Sequence, residues 1–336
     1  MEKEKIAVIG AGAWGTALAN HIAKRGYPVS LWAYEPEVCK AIRSRCENPQ
    51  FLPGVALHPG ISPTHRLPDV AQDTSLIISA APSQVVRSLW QTLSSHLASS
   101  TDVVSVSKGI EARSLLTMTQ VIREAVPDSV ALRLAALSGP TFASEVSQGY
   151  PAAAVVASKE PGFAQRVQTL LSGPSLRLYT HDDVLGVELG GALKNVMALG
   201  AGISDGLGLG YNARAALIVR GMAEMARLGE AMGACVRTFA GLAGFGDLVL
   251  TCTGDASRNR TLGLRVGGGE KLKDILQGMR TVAEGVEASR AARQLGERFH
   301  AELPITEKVC QILFEGKPAR KAMGELMVRE LKPEFA

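Results

Sequence analysis

The segment KIAVIGAGAWG, residues 5–15, decides the fold of this chain. A short apolar run predicts a buried strand, and glycines spaced G-x-G-x-x-G follow it before a helical pattern that ends at Gly26. In this arrangement Gly10 permits a tight turn, Gly12 lets a pyrophosphate approach the backbone, and Gly15 lets the helix pack on the strand. The free N–H groups of the helix then face the anion. Placed between a strand and a helix, the motif favours dinucleotide binding over a purely structural turn.

Strand and helix patterns keep alternating through the first half of the chain. The predicted strands are residues 29–32, 75–80, 102–107, 131–137, 152–157 and 176–180, the predicted helices are 36–45, 83–97 and 162–171, and the proline- and glycine-rich residues 48–66 are expected to form a loop. Uninterrupted apolar strands that alternate with helices indicate a mostly parallel, doubly wound α/β sheet of the Rossmann type.

Ligands of such sheets bind beyond the carboxyl ends of the strands. Three candidate segments lie there: residues 80–82, Lys108 and Gly139–Thr141. Lys108 is either a ligand contact or a solvated loop lysine. An acid that holds a ribose 2′-hydroxyl is expected after the second strand, where this chain has Ala33. A neutral residue neither repels nor attracts a 2′-phosphate, so the choice between NADH and NADPH stays open.

The composition of the chain changes in its second half. Strand patterns largely stop near Asp183, and residues 186–269 contain 19 of the 35 glycines. Each glycine inside a helix costs about 1 kcal/mol relative to alanine, so this concentration indicates turns and close backbone approach. A chain of 336 residues also exceeds the usual size of a single core. We therefore expect a dinucleotide-binding domain at residues 1–183 and a helical substrate-binding and catalytic domain at residues 184–336.

Lys194 is the only cation in ELGGALKNVMALGAG, residues 188–202. Its neighbours at helical spacing are mostly glycine and alanine, which predicts room for a ligand beside the ammonium. Burying a lone lysine costs several kcal/mol unless it is paired or its pKa falls. The lysine is therefore either functional or a snorkelling side chain with a solvated head.

The apolar pattern of residues 211–232 predicts the buried centre of the helical domain and a candidate subunit interface.

Two polar stretches follow. Asp247 is an isolated acid among apolar residues, so it pairs with a cation, bonds to the backbone or caps a helix at residues 248–251. Ser257–Arg260 place a hydroxyl, an amide and two guanidiniums at a predicted helix N-terminus. The helix dipole and the arginine fork favour a phosphate there, with exposed loop arginines as the alternative. Amphipathic patterns predict two closing helices, at residues 304–314 and 321–331.

Composition narrows the function classes. The net charge is only +4, without a basic block, which argues against nucleic-acid binding. Five cysteines without a CxxC pair indicate free thiols in a reducing compartment. The N-terminal segment has no signal pattern, and no apolar run reaches the roughly 18 residues of a membrane span. We expect a cytoplasmic protein without membrane insertion.

Taken in order, the motifs resemble those of bacterial NAD(P)-dependent glycerol-3-phosphate dehydrogenases over essentially the whole chain. The matching stretches are GAGAWGTALA, NPQFLPG, VSKGIE, LSGPTFASEV, GALKNVMALGAGISDGLGLGYNARAAL, GLAGFGDLVLTCT, SRNR and VAEG. The resemblance implies a Rossmann-type domain followed by an all-α domain like that of 6-phosphogluconate dehydrogenases. It also implies a homodimer that reduces dihydroxyacetone phosphate with NADH or NADPH to sn-glycerol 3-phosphate, the backbone precursor of phospholipids.

The resemblance also assigns site residues by motif position. Lys194 would be the proton donor and acceptor, with Asp247 as its catalytic partner. The implied substrate contacts are Lys108, Gly139, Thr141, Lys194, Asp247, Ser257, Arg258 and Asn259. The implied cofactor contacts are Gly10, Gly12, Ala13, Trp14, Gly15, Tyr34, Lys108, Ala143, Arg258, Val282 and Glu284. No metal is implied.

Three positions depart from the family pattern. Ala13 and Gly254 stand where serines are usual, and Tyr34 stands where a basic residue is common. The loss of a basic residue at Tyr34 weakens the case for a strong NADPH preference. None of the three departures touches the implied chemistry.

Two other functions compete with this interpretation. A 3-hydroxyacid or 6-phosphogluconate dehydrogenase also joins a Rossmann domain to a helix lysine, but in a K-x-x-x-N pattern. In this chain the fourth residue after Lys194 is Ala198, which disfavours that class. A non-catalytic nicotinamide-binding regulator would not need Lys194, Asp247 and the arginine loop together.

Overall fold

The first half of the chain forms one twisted sheet. The computed structural model describes residues 3–279 and 283–334. The strands in the described residues are β1 Ile6–Ile9, β2 Val29–Trp32, β3 Ile61–Thr64, β4 Leu76–Ser79, β5 Ser100–Ser105, β6 Ala131–Ser138, β7 Ala152–Ser158 and β8 Leu176–His181.

The strand order in the sheet is β3-β2-β1-β4-β5-β6-β7-β8. All neighbouring strands are parallel except β6 and β7. From β1 the strand order runs in two directions: β2 and β3 lie on one side of β1, and β4 and the later strands lie on the other. Ile9 of β1 accordingly pairs with both Trp32 of β2 and Ser79 of β4. This is the switch point beyond which a doubly wound sheet binds its ligand. The predicted doubly wound α/β class is confirmed.

One strand was not expected. β3 lies inside residues 48–66, which the sequence predicts to be a loop, and it pairs with β2 at the edge of the sheet. Pro63 lies in β3 and pairs with Leu31. An edge strand tolerates proline because one side of its backbone needs no partner. Prolines and glycines around a strand of four residues therefore hid it from the sequence pattern.

Helices cover the sheet and form the rest of the chain. Their bounds are α1 Ala13–Lys24, α2 Pro36–Arg45, α3 Val86–Leu93, α4 Met118–Ala125, α5 Ala143–Ser147, α6 Phe163–Leu171, α7 Val184–Gly206, α8 Gly210–Ala231, α9 Val236–Phe239, α10 Asp247–Thr253, α11 Arg258–Gly267, α12 Leu272–Gln277, α13 Glu284–Arg298, α14 Pro304–Phe314 and α15 Ala319–Met327. Short 3₁₀ turns lie at Leu67–Val70, Ser83–Val85 and Ser94–His96, and a π turn lies at Leu242–Gly246.

Apolar side chains pack in two layers on the sheet and in a separate core among the later helices. Along β1, Ile6 and Val8 belong to one layer, whereas Ala7 and Ile9 belong to the other. This alternation is what a strand buried on both faces requires. The later core gathers around α7, which contributes Leu193 and other fully buried residues. The sheet is thus followed by a helical unit with its own core.

Glycines let α7 and α11 touch backbone to backbone. A Cβ atom at Gly202 would collide with the Arg260 carbonyl oxygen, and one at Gly263 would collide with the Leu199 carbonyl oxygen. The glycine-rich composition therefore serves close helix packing.

α7 is also long and apolar enough to cross a membrane, but 89% of its most apolar 18-residue window is buried inside the protein. Its hydropathy follows from its place in the core.

α8 differs from the prediction for residues 211–232. Its first half is largely solvent-exposed, with Tyr211 at 82% and Val219 at 45% of full exposure. α7, not α8, is therefore the buried centre of the helical unit. The sequence of α8 misled because many of its apolar residues are alanines, whose small surface does not reveal which face is buried.

Candidate active site

A buried carboxylate lies between two lysines where the two halves of the chain meet. Lys194 is 6% exposed, and its Nζ atom donates hydrogen bonds to Asp247 Oδ1 and, at 2.8 Å, to Thr251 Oγ1. Lys108 Nζ donates to Asp247 Oδ2 at 2.6 Å and to the Gly139 carbonyl oxygen at 3.0 Å. Both Asp247 oxygens therefore pair with ammonium groups. Lys194 is not a snorkelling side chain.

Local structure explains how Asp247 reaches this position. It is the first residue of α10 and follows the π turn at Leu242–Gly246. Gly246 takes the N-cap position of α10, so the alternative in which Asp247 caps a helix is wrong. Thr251 lies one helical turn after Asp247 and donates from its hydroxyl to the Asp247 carbonyl oxygen at 2.6 Å. This bond fixes the hydroxyl that accepts from Lys194.

The electrostatics of the cluster prepare Lys194 for proton transfer. Burial lowers the pKa of Lys194 to about 8, with Asp247 opposing the shift and the Lys108 charge adding to it. Burial alone would raise the pKa of Asp247, but the charges of Lys108 and Lys194 outweigh it and lower that pKa. The carboxylate stays ionised while Lys194 titrates close to neutral pH. Such a lysine can both donate and accept a proton.

The glycines next to Lys194 do not provide room for a ligand. A Cβ atom at Gly190 would lie 2.5 Å from the Ala243 carbonyl oxygen, and one at Gly191 would lie 2.7 Å from Ser138 Oγ. Protein atoms already occupy both sides. This expectation was wrong because a glycine face permits close protein packing as readily as ligand binding, and sequence alone does not distinguish the two.

The predicted phosphate loop lies at the start of α11. Ser257 is the N-cap residue, and its Oγ atom accepts from the Arg260 backbone N–H at 3.2 Å. Arg260 pairs with Asp205 and Asp255, both at 2.9 Å. Arg258 forms no ion pair within residues 3–279 and 283–334; burial lowers the pKa of its guanidinium, and the Glu284 carboxylate opposes that shift. Of the two arginines, Arg258 is the one available to an anion.

Asparagines connect this loop to the lysine cluster. Asn259 Nδ2 donates to Asn195 Oδ1 at 3.0 Å, and Asn259 Oδ1 accepts from the Gly285 backbone N–H at 3.1 Å. Asn195 Nδ2 in turn donates to the carbonyl oxygens of Lys108 and Gly191, each at 3.4 Å. The side chain of Asn259 is thus committed to joining α11 with α7 and α13.

Sequence reasoning did not assign Thr251 or Asn195 to the site. Thr251 contacts Lys194 directly, and Asn195 links it to the loop at the start of α11. A signal for Thr251 existed, since a residue four positions after Asp247 in a helix shares its face. Asn195 follows Lys194 directly, but its side chain contacts Asn259 and the Lys108 carbonyl oxygen and not the Lys194 ammonium. These partners are distant in sequence, so no local pattern indicates them.

The glycine-rich loop after β1 forms an open cradle. Gly10 has φ of +113°, and a side chain there would collide with Ala80. A Cβ atom at Gly12 would meet nothing within 4 Å. Gly12 caps α1 without a side-chain hydrogen bond, and Ala13 is the first residue of that helix. Trp14 Nε1 is buried without a protein partner in the described part of the chain. These features fit a dinucleotide.

Other predicted cofactor residues lie around this cradle. Tyr34 follows β2 with 78% of its surface exposed, which leaves its ring available for stacking. Ala143 begins α5, which packs against α1. The Glu284 carboxylate accepts hydrogen bonds from the backbone N–H, at 3.0 Å, and the hydroxyl of Ser83, next to the carboxyl end of β4. Val282 lies outside the described residues. The roles of these residues stay predictions.

The remaining predicted substrate residues lie beside Lys108. Gly139 has φ of +153°, and a side chain there would contact Ala154. The Thr141 hydroxyl donates to the Gly139 carbonyl oxygen at 3.1 Å. Hydrogen bonds therefore connect the lysine cluster with Gly139, Thr141 and, through Asn195, Asn259. No hydrogen bond in the described ranges joins Tyr34 or Ala143 to this network.

A Rossmann sheet with an open dinucleotide cradle, followed by a helical unit that carries a buried lysine–aspartate pair, defines a two-domain nicotinamide-dependent dehydrogenase. The model of the NAD-dependent glycerol-3-phosphate dehydrogenase N-terminus matches residues 5–164, and that of its C-terminus matches residues 183–324. The chain belongs to the NAD-dependent glycerol-3-phosphate dehydrogenase family, as the resemblance of its motifs predicts.

Individual relatives agree over nearly the full length. Glycerol-3-phosphate dehydrogenases [NAD(P)+] of Geobacter sulfurreducens and Geobacter metallireducens are each 54% identical, over 98% of this chain and 99% of the relative. The crystal structure of the Coxiella burnetii glycerol-3-phosphate dehydrogenase superposes with a TM-score of 0.93 at 35% identity, covering 98% of this chain and 100% of that one. A D-mandelate dehydrogenase, 17% identical with a TM-score of 0.63 over 96% of this chain and all of its own, shares the fold alone. The hydroxyacid-type alternative is not favoured.

Proposed function

We propose that this chain catalyses the reversible reduction of dihydroxyacetone phosphate to sn-glycerol 3-phosphate with NADH or NADPH. The product supplies the backbone of glycerophospholipids. The observation that carries the proposal is the buried Lys194–Asp247–Lys108 cluster, which lies beyond the carboxyl ends of the strands in a member of this family. Within the described residues no group of three metal-ligating side chains occurs, and the proposed chemistry needs none.

Each residue of the cluster has a separate role at the reacting carbonyl group. When bound, the reduced nicotinamide supplies the hydride that the C2 atom of the ketone takes up. Lys194 gives a proton from Nζ to the carbonyl oxygen as negative charge develops there, and takes it back in the reverse direction. Asp247 holds the ammonium in place through its Oδ1 atom. Lys108 adds a second positive charge near the developing oxyanion.

The start of α11 suits the phosphate group of the substrate. The N-terminus of α11 directs free backbone N–H groups and the positive end of the helix dipole outward. Arg258 adds a guanidinium without an ion-pair partner among the residues described, and Ser257 fixes the cap through its hydroxyl. Holding the phosphate here would place C2 beside Lys194, and positioning of this kind contributes a large part of a rate enhancement.

One assay tests the proposed function. The purified chain is mixed with dihydroxyacetone phosphate and either NADH or NADPH, and the loss of reduced-nicotinamide absorbance is followed. We expect oxidation with at least one of the two nucleotides and none with a β-keto acid. Oxidation only with the β-keto acid would favour the hydroxyacid class, and no oxidation with either substrate would favour a non-catalytic regulator. Comparing the two nucleotides also settles the cofactor preference that Ala33 and Tyr34 leave open.

The same proposal includes the organisation of the chain. We propose residues 1–183 as the dinucleotide-binding domain and residues 184–336 as the catalytic domain, because β8 ends at His181 and α7 begins at Val184. We also propose a cytoplasmic homodimer: the exposed apolar side chains in the first half of α8 support the dimer, and the five free cysteines support a reducing compartment. Sedimentation velocity tests the dimer, and a single monomeric species at micromolar concentration would contradict it.

The pH dependence of turnover reports the ionisation of Lys194. Reduction needs the protonated ammonium, and burial lowers the pKa of this group to about 8. We therefore expect kcat for ketone reduction to be constant below this pH and to fall above it. In the oxidation direction Lys194 must be neutral, so kcat should rise through the same pH. Stopped-flow absorbance measures kcat against pH in both directions. If kcat changed in the same sense with pH for reduction and for oxidation, Lys194 could not be the shared acid and base.

Replacing Arg258 with alanine tests the phosphate site. We expect the KM for dihydroxyacetone phosphate to rise about 10- to 100-fold, in line with 1.5–3 kcal/mol for a hydrogen bond to a charged group. kcat should change less, because the lysine cluster stays intact. Initial rates at saturating nucleotide measure both constants, with Arg265→Ala, a half-buried arginine of the same helix that pairs with Glu270, as the control. An unchanged KM would place the phosphate elsewhere.

A further inference from the structure

Glu188 carries a buried carboxylate that the proposed chemistry does not use. It lies in α7, less than two helical turns before Lys194. Only 7% of its surface is exposed, and burial raises the pKa of its carboxyl group. A buried carboxylate is costly unless hydrogen bonds replace its lost water. Its partners therefore show what the carboxylate does.

All of these partners belong to the other half of the chain. Glu188 Oε1 accepts from the Thr119 backbone N–H at 2.8 Å. Glu188 Oε2 accepts from the hydroxyls of Thr117, at 2.7 Å, and Thr119, at 2.5 Å. These three donors lie at the N-terminus of α4, where Thr117 and Gln120 also form a capping box. A carboxylate of the helical half thus helps to cap a helix of the sheet half.

The segment that Glu188 holds is the end of the loop that carries Lys108. Residues 106–117 connect β5 to α4. At the start of this loop the Val106 backbone N–H donates to the Ser79 carbonyl oxygen at 2.9 Å. Near its end, Ile110 and Thr117 form an isolated β-bridge, which ties Lys108 closely to the segment that Glu188 binds. α7 therefore holds both Lys194 and, through Glu188, the loop of Lys108.

We propose that Glu188 is a positioning residue for the reaction, which fixes the Lys108 loop against α7 and so sets the place of Lys108 relative to Lys194 and Asp247. The inference rests on the proposed function of the lysine cluster. It assigns to Glu188 no contact with substrate or cofactor. Without its carboxylate, the N-terminus of α4 loses three hydrogen bonds across the junction of the two halves, and the Lys108 loop can shift away from Asp247.

Glu224 provides a matched control inside the same molecule. It is 2% exposed, and its carboxylate also accepts from a helix N-terminus, the backbone N–H groups of Ile305 at 2.5 Å and Thr306 at 3.1 Å. The Thr306 hydroxyl adds a third bond at 3.1 Å. No hydrogen bond in the described residues connects Glu224 with Lys194 or Lys108. A loss of capping alone should therefore affect both glutamate variants alike.

The experiment compares Glu188→Ala, Glu188→Gln and Glu224→Gln in the full chain. A displacement of about 1 Å near reacting groups can cost about 100-fold in rate, so we expect a loss of this order in kcat for Glu188→Ala and a smaller loss for Glu188→Gln, which retains one acceptor oxygen. The KM for the nucleotide should change less than kcat, because the glycine cradle at Gly10–Gly15 is untouched and Lys108 is only one of the predicted cofactor contacts. Glu224→Gln should keep the wild-type kcat, although its melting temperature falls.

A second measurement separates positioning from a general loss of stability. The titratable groups around Lys194 are Asp247, Lys108 and the buried thiol of Cys252. Since the Lys108 charge lowers the pKa of Lys194, a displaced Lys108 should move the pH midpoint of kcat upward in the Glu188 variants. The midpoint of Glu224→Gln should stay at the wild-type value.

The outcomes separate this inference from the proposed function. Wild-type protein without activity on dihydroxyacetone phosphate would refute the proposed function. An active wild type whose Glu188→Gln variant matches Glu224→Gln in kcat and pH midpoint would overturn the positioning role. If Glu188→Ala does not fold, the pair of glutamine variants, compared at equal folded fraction by circular dichroism, carries the test alone.

Discussion

Replacing Lys194 with alanine is expected to lower kcat for ketone reduction by a factor of about 10² to 10⁴, the usual contribution of a positioned acid or base. The variant retains the open cradle at Gly10–Gly15, so the affinity for the nucleotide should survive. Steady-state rates give kcat, and quenching of tryptophan fluorescence by NADH gives the dissociation constant. In the proposed mechanism Lys194, which Asp247 and Thr251 hold in place, protonates the carbonyl oxygen, and the variant lacks this group.

Two further variants make this result specific. Lys194→Met keeps most of the side-chain volume without a proton to give, so it should lose as much kcat as Lys194→Ala. Lys308→Met removes an ammonium that pairs with Glu325 and not with the lysine cluster, so this variant should retain wild-type turnover. Turnover near the wild-type level in either Lys194 variant would refute the assignment of the proton donor.

Replacing Asp247 with asparagine should harm both the stability and the chemistry. The change leaves Lys194 and Lys108 facing each other without their shared anion, and breaking a buried ion pair in this way costs about 3–5 kcal/mol. Loss of the carboxylate also lowers the pKa of Lys194 further, since Asp247 is the group that raises it. Less ammonium is then available at neutral pH, so the pH limb for reduction should move to lower pH. Urea unfolding and the pH profile of kcat measure the two effects.

Asp102→Asn is the matched control for this prediction. Asp102 is 5% exposed and pairs with two cations that do not belong to the lysine cluster, Arg133 at 2.5 Å and Arg166. The Asp102→Asn variant should lose stability without a change in the pH midpoint of kcat.

The lowered pKa of Asp247 means that its stabilisation of the fold is present above the unfolded pKa of 3.8 and is lost as pH falls through the folded pKa. The difference in stability between wild type and Asp247→Asn should therefore shrink in acid; a constant difference would contradict the ion-pair account.

Much of the fold could be predicted from local patterns. The strand before Gly10, the alternation that follows, and the end of strand patterns near Asp183 each depend on residues close in sequence. β3 was missed because Pro63 lies in an edge strand, where the backbone tolerates it. The burial of α8 was misjudged because many of its apolar residues are alanines, which do not show how little of its first half is covered by protein.

The site was predictable to the extent that its residues are chemically unusual. Lys194, Asp247 and Lys108 are charged residues in apolar or glycine-rich surroundings, and the structure joins them by hydrogen bonds. Thr251 and Glu188 are ordinary residues whose importance comes only from their partners. The partner of Glu188 lies some seventy positions away, at Thr117 and Thr119. No local pattern indicates such a contact.

The glycine contact between α7 and α11 fixes the distance between these two helices. Because Gly202 and Gly263 bring the two backbones into direct contact, the separation between Lys194 and the start of α11 at Arg258 is set by main-chain atoms, which cannot rotate away as side chains do. Under the proposed function, a ketone whose phosphate lies at Arg258 would meet Lys194 at a separation that this backbone contact fixes. Under that proposal, selectivity for the length of the substrate would follow from the packing of α7 on α11, and changes in the loops around the site would not alter it.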